Sequence, residues 1–220
     1  MPSKIHPMRL DHFTLGASNL STGLDDFESQ TGLRLPAGGS HPVMSTHNAI
    51  MSTGERQFME LIASDPDAPQ PDRVRWFSLD DPHTKDRLRA RPRALCWVVE
   101  TDDLDHLVAN SPIDLGEIVT LTRGDKRWRL TVPRNGSLPE GGLVPAFIQW
   151  DDDIASGKHP GETQPDLGAR LTEITVTHPN DTWLTEIFDA LGILHLATIK
   201  QGARALSFTI KVNDKTYLLD

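Results

Sequence analysis

Residues 45–64, STHNAIMSTGERQFMELIAS, set a carboxylate inside an apolar extended run: Glu60 stands within Phe58-Met59-Glu60-Leu61-Ile62. Burying a charged Glu without a partner costs several kcal/mol or forces it to take up a proton. Such a residue implies a paired charge, a metal ion, or a strand whose one face looks onto something polar. His47 and Asn48 head the preceding extended run, where Asn48 either caps a bend or reaches a ligand. A second chemistry-bearing stretch is KRWRLTVP at 126–133. Successive strand side chains point to opposite sides, so Trp128, Leu130 and Val132 share one face, and Arg127, Arg129 and Thr131 the other. Toward a cleft, the planar fork of Arg129 suits a substrate carboxylate or phosphate; on an outer face both arginines pair with surface acids.

His106, His178 and His195 have no partner at ligand spacing and read as surface or structural residues. The sequence has no Gly-rich phosphate loop, Ser-centred nucleophile elbow or Cys-x-x-Cys pair. A formal charge of −9 argues against a nucleic-acid partner. The Arg-rich segment 86–93 reads as a solvated linker. No apolar run approaches the roughly 20 residues of a membrane span, and the amino terminus lacks a secretory core. The single Cys96 forms no internal disulfide, so a reducing, cytoplasmic setting is expected.

The elements that must position these residues show as a repeat. Residues 10–35 and 94–119 each run strand, Asn/Asp-Leu helix start, amphipathic helix, Gly, strand. Asn19 and Asp103 are helix caps ahead of apolar residues at helical spacing, Leu20, Leu24 and Phe27 in one copy, Leu104, Leu107 and Val108 in the other. Gly32 and Gly116 stand where a chain leaving a helix needs permissive angles. Strand-like runs follow at 43–53 and 57–64, and at 117–123, 127–133 and 143–150, giving βαβββ twice. A third opening begins at 170, with Asn180-Asp181 as cap and a helix carrying Trp183, Leu184, Ile187 and Phe188. It ends in two strands joined by Asn213-Asp214 as a hairpin turn. The expected fold class is α+β. Residues 1–152 hold paired modules (about 8–64 and 93–152), 153–168 a linker, and 169–220 a third β-α-β-β module. In the connector 64–93, Trp76 and Phe77 either wall a cleft or pack under the sheet, the second being the expectation.

LDHFTLGASNL (10–20), HPVMSTHNAIMS (41–52), QFMELIASDPD (57–67), RWFSLD (75–80) and GLVPAFIQWDD (142–152), in this order, resemble glyoxalase-like proteins of the vicinal oxygen chelate superfamily. The likeness covers about residues 8–152, and the third unit resembles the carboxy-terminal extension of longer members. It implies an open, cleft-bearing mixed sheet built from both modules with helices outside, and ligands held by the first and last strand of each module. Those positions map onto His12 and Glu60 in the first module.

Alternation can be read against that map. With Phe13 and Leu15 under the helix, Leu10, His12, Thr14 and Gly16 face the cleft, as do Phe58, Glu60 and Ile62. If Ile50 faces the helix, His47, Ala49 and Met51 point inward as well. His12, His47 and Glu60 would then be a two-His, one-carboxylate set for Zn, Fe, Mn or Ni, with the ion acting as a Lewis acid. Without a metal, Glu60 is the candidate catalytic base. In the second module Cys96 aligns with His12 and Gln149 with Glu60; Gln149, Asn48 and Arg129 are the candidate substrate-binding residues. The resemblance implies a metal-assisted lyase, isomerase or oxygenase acting on a small carboxylate or carbonyl compound, with a metal-free binding or resistance protein as the alternative. A small molecule is the expected partner, a homodimer is open, and neither nucleic acid nor membrane is expected.

Overall fold

The computed structural model describes residues 8–124, 126–151 and 159–220. Residues 1–7 and the 153–158 part of the expected linker lie outside the described residues. The first module runs β1 (Arg9–Gly16), α1 (Leu20–Thr31), β2 (Ala37–His41), β3 (Thr46–Gly54) and β4 (Gln57–Ser64). The second runs β5 (Arg93–Glu100), α3 (Leu104–Asn110), β6 (Glu117–Arg123), β7 (Lys126–Val132) and β8 (Ala146–Trp150), with α2 (Pro82–Leu88) between the two. Helix α1 begins where the Asn19 side chain accepts the Thr22 N–H, and stops at Gly32, whose φ of 76° suits a residue without Cβ. Asp103 caps α3 in the same way, accepting the His106 N–H.

All eight strands form one sheet in the order β2-β3-β4-β1-β5-β8-β7-β6. Within each module the first and last strands are parallel neighbours. The modules join first strand to first strand, antiparallel, with Phe13 opposite Trp97. Both faces of the sheet are buried. On one face Phe13, Leu15, Met59, Leu61 and Phe147 pack with Phe27 of α1 and Leu104 and Leu107 of α3. On the other, Ile62, Cys96, Val98, Trp128, Leu130 and Ile148 form a separate cluster with Trp76 and Phe77. Both helices therefore lie on the same side, and the concave side is left for a cleft.

A second, four-stranded sheet follows: β9 (Ala169–His178), α4 (Asp181–Ala190), β10 (Thr198–Gln201), β11 (Ala205–Val212) and β12 (Lys215–Leu219), ordered β10-β9-β11-β12. Here the strand after the helix pairs directly and in parallel with the first, a plain βαβ crossover, so the pairing of the first two modules is not repeated. The β11–β12 hairpin turns at Asn213, φ 54°. Phe208 packs on Phe13 with ring centroids 5.0 Å apart, and Phe188 on Trp97 at 5.7 Å. The second sheet thus covers the outer face where β1 meets β5.

Two local expectations change. The stretch 86–93 is not a linker: Asp86, Arg87 and Leu88 close α2, which starts on Asp81 as cap and Pro82 in its first turn, and Arg93 opens β5. Gly116 is not a helix cap, because α3 ends at Asn110. It permits a close crossing, since a Cβ there would stand 2.3 Å from the Pro133 nitrogen. Among the described residues no helix is long and apolar enough to cross a membrane.

Candidate functional site

The concave face holds a small, partly open cavity lined by both modules and the connector. Its polar end is built around Glu60, only 4% exposed. The register sets Thr14 of β1 beside Glu60 of β4, and the Thr14 hydroxyl donates to Glu60 Oε2 at 3.0 Å. Asn48 Nδ2 donates to Glu60 Oε1 at 2.6 Å. His12 Nε2 stands 3.8 Å from Glu60 Oε2, and Phe58 stacks on the His12 ring.

His12 is oriented from behind. Its Nδ1 lies 2.5 Å from the carboxylate of Asp11, which is fully buried and also accepts from Trp150 Nε1 at 2.7 Å and His159 Nε2 at 2.8 Å. His159 Nδ1 accepts the Gly161 N–H, so its Nε2 carries the proton given to Asp11. Burial pushes the Asp11 carboxyl up, but the hydrogen bonds from His12 and His159 outweigh it and hold the group well below the usual carboxylate range. An ionised Asp11 fixes the His12 tautomer with hydrogen on Nδ1 and turns the Nε2 lone pair toward the cleft. Strict alternation would have sent Asp11 to the helix side. A register shift between Leu10 and His12 against β5 lets Asp11 and His12 turn the same way, and Leu10 joins the helix-side core instead of the cleft.

Of the residues singled out in the sequence, His12, Asn48 and Glu60 come together. His47 does not join them. Ala49 and Met51 belong to the helix-side core and Asn48 faces the cleft, so β3 is turned by one residue from the orientation that assumed Ile50 under the helix. His47 Nδ1 lies 4.0 Å from Asp65, away from Glu60. The two-His, one-carboxylate set is therefore not assembled.

Arg129 and Gln149 also lie outside the cleft. Arg129 donates to Asp105 at 2.7 Å and to Gln149 at 2.5 Å; Gln149 in turn accepts the Leu104 N–H and donates to the Asp102 carbonyl, tying β8 to the start of α3. The face of β7 that looks inward is the one bearing Trp128 and Leu130. Register also corrects the module alignment. Thr14 pairs with Glu60 in the first module and Val98, its counterpart, pairs with Ala146 in the second, so Ala146 holds the place of Glu60. Cys96 does hold the place of His12, but burial and the charge of Glu60 push its thiol well up and keep it neutral.

Several cleft residues escaped the sequence. Arg123, at the end of β6, reaches across the open side of the sheet; its Nη1 is 3.5 Å from His41 Nε2 and 3.5 Å from Asn48 Oδ1. Its position two residues after the inward-facing Leu121 was the available signal. Burial, opposed by Glu60 and reinforced by Arg123, pushes His41 down to about 4, so its ring is neutral at pH 7. Trp76 and Phe77 line the cleft rather than filling the space beneath it. The turn that delivers them holds Phe77 and Ser78 at φ 58° and 57°, a conformation costing roughly 1–3 kcal/mol per residue. A Ser78 N–H bond to the Gly136 carbonyl and the Arg75–Asp80 pair fix it.

The donor set does not complete the metal chelate that the resemblance implied. His12 and Glu60 offer two donors from the first module, whereas a neutral thiol and the methyl of Ala146 stand in the matching places of the second. Asp11, Glu100 and His159 also crowd within 4.8 Å of one another. Their atoms are already engaged: Glu100 accepts from Arg9 and Arg56, Asp11 from His12, Trp150 and His159, and His159 Nε2 bears a proton.

Residues 10–192 match the family described as a glyoxalase-like domain. Among solved structures, a hypothetical protein from Staphylococcus aureus is 13% identical and aligns over 97% of this chain and 85% of its own, with a TM-score of 0.56. Methylmalonyl-CoA epimerase from Mycobacterium tuberculosis is 15% identical over 71% of this chain and 95% of its own, TM-score 0.43. The Streptomyces coelicolor methylmalonyl-CoA epimerase in complex with 2-nitronate-propionyl-CoA is 12% identical over 64% and 96%, TM-score 0.40. No curated protein matches the chain.

Proposed function

Because the chain belongs to the glyoxalase-like proteins of the vicinal oxygen chelate superfamily, we propose that its cleft moves a proton on a small organic carbonyl compound, as an isomerase or lyase does. One observation carries this: Glu60 is a buried carboxylate held by neutral donors, facing a histidine whose free nitrogen is aimed at it by a buried aspartate. A carboxylate tied into an ion pair is a poor base, and Glu60 has no Lys or Arg in contact among the described residues. In the step it performs, Glu60 takes a proton from a carbon beside a carbonyl, and the C–H electron pair moves onto the carbonyl oxygen. Return of the proton to another position gives an isomer; departure of a leaving group from the adjacent carbon gives a lyase product. His12 Nε2 accepts and returns the second proton, because the Asp11 anion stabilises the imidazolium that forms. Oxygenase chemistry, by contrast, asks for a chelate that Cys96 and Ala146 do not complete.

The test is hydrogen–deuterium exchange followed by NMR on small aldehydes, ketones and 2-oxo acids in D2O. Wild type should accelerate exchange on at least one compound, and Glu60→Gln should slow it by about 100-fold or more. Equal rates in the two proteins would overturn the assignment. The aromatic walls, Phe58, Trp76, Phe77, Trp128 and Trp150, favour a second reading as a binding or resistance protein. That reading expects tight binding by wild type with no exchange on any bound compound.

A further inference from the structure

We infer that the ligand is a flat carboxylate whose anion seats on Arg123 while its body lies along the tryptophan wall. This rests on the cleft being the working site, and goes beyond it by naming the ligand's charge and shape.

Arg123 is the one Arg or Lys among the residues lining the cavity. Its Nη1 meets only neutral groups, the His41 imidazole and the Asn48 carbonyl oxygen, both at the 3.5 Å limit of a hydrogen bond. Among the described residues no carboxylate forms an ion pair with it, whereas Arg56 and Arg75, half-buried and buried elsewhere in the fold, are paired with Glu100 and Asp80. A guanidinium withdrawn from water, with only the charge of Glu60 beyond Asn48 to offset its burial, is costly, and an anionic ligand in contact would relieve that cost. The chain has made room for it, since a Cβ on Gly39 of the opposite strand would stand 3.2 Å from Arg123 Cδ.

A second polar group at the same end also lacks a partner. The Trp76 indole N–H is buried without a hydrogen bond, and the ring lies edge-on to His41, centroids 5.0 Å apart. His41 sits between the two groups, a neutral ring whose Nε2 takes at most one N–H of Arg123, at the 3.5 Å limit, and leaves the Trp76 N–H unpaired. Two donors that flank one ring suit a planar, two-oxygen anion better than a neutral carbonyl.

Glu60 does not fill the role itself. Asn48 stands between, its Oδ1 toward Arg123 and its Nδ2–H on Glu60. The cavity thus has a positive end and a basic end separated by one amide. A ligand bridging them must place its carboxylate at the first and a neutral C–H at the second, as a 2-oxo acid or a conjugated carboxylate does. Trp128 and Trp150, centroids 5.3 Å apart and tilted by 45°, give the cavity aromatic faces on which a planar ligand can lie.

Intrinsic tryptophan fluorescence titrations with benzoate and its neutral isostere benzamide test this. Wild type should bind benzoate more tightly than benzamide. Arg123→Gln should weaken benzoate by about 10- to 100-fold and leave benzamide nearly unchanged, the scale of a lost charge-assisted bond. Trp76→Phe, which keeps the ring and removes the N–H, should weaken benzoate several-fold. Benzoate and benzamide binding wild type alike, or benzoate not binding at all, overturns the inference even if Arg123→Gln fails to fold. Glu60→Gln separates the two claims. It should lose exchange and keep its preference for benzoate. Exchange that depends on Glu60 with no benzoate preference would sink the anion seat alone, whereas the preference without such exchange would sink the proton-transfer reading alone.

Discussion

The two modules share a topology and meet at Phe13 and Trp97, yet their inward faces differ in kind. The first presents His12, Thr14, Asn48 and Glu60, a connected polar set. The second presents Cys96, Val98 and Ala146 at the matching places of the central strands, then Trp128, Trp150 and Arg123 on the flank. Repeating a backbone does not repeat a site, because strand pairing fixes only where a side chain points, and each inward position is free to carry different chemistry. One module here carries the connected polar set, and the other supplies tryptophan walls and Arg123.

That division can be broken most sharply at the first module. Glu60→Gln should cut proton exchange by about 100-fold or more while the thermal midpoint moves little, since the amide keeps the shape of the side chain. Unfolding on that substitution would mean that Glu60 serves packing rather than chemistry. Asp11→Asn should cost less, about 10- to 100-fold in exchange, because the residue acts through the orientation of His12. Its signature is a shifted pH profile, which a merely structural role would not produce.

The border between modules is sharpened by pH. The folded His41 lies near 4, below its ordinary 6.5, because burial disfavours the imidazolium. As pH falls below 6.5 the unfolded chain takes up this proton first, so stability is complete above 6.5 and declines until about pH 4. The loss over that window is roughly 3 kcal/mol. Urea unfolding at several pH values should show the decline, and His41→Gln should flatten it; an equal slope in the variant would remove His41 as the cause.

On the second module the expected effects are smaller. Cys96→Ala should cost about 1 kcal/mol for the lost buried volume and leave exchange within about twofold, in contrast to the equivalent His12. Smallest of all, Arg129→Ala and treatment with EDTA should leave benzoate binding unchanged, because Arg129 faces Asp105 and Gln149 on the outer side and the chelate is incomplete. Loss of binding in EDTA, restored by one metal, would overturn the view of the donor set.

Sequence by itself determined the repeat, its helix caps at Asn19, Asp103 and Asn180, most strand positions, and the oddity of a carboxylate at Glu60. These are local quantities, written in periodicity and in short-range hydrogen-bonding residues. It also grouped Trp128 with Leu130, and Phe58 with Glu60, as neighbours on a face. Which face looks into the cleft was decided only by tertiary structure. Alternation reveals orientation when one side of a strand is wet and the other dry; β3 is buried on both sides and carried no such contrast, whereas β7 carried one, but its dry face, Trp128 and Leu130, is the one that looks into the cleft. The irregularity that turns Asp11 inward, the reach of Arg123 across the sheet, and the turn that delivers Trp76 depend on contacts between segments distant along the chain. No period in the sequence records such contacts, because the curvature that brings the segments together exists only once the modules have paired.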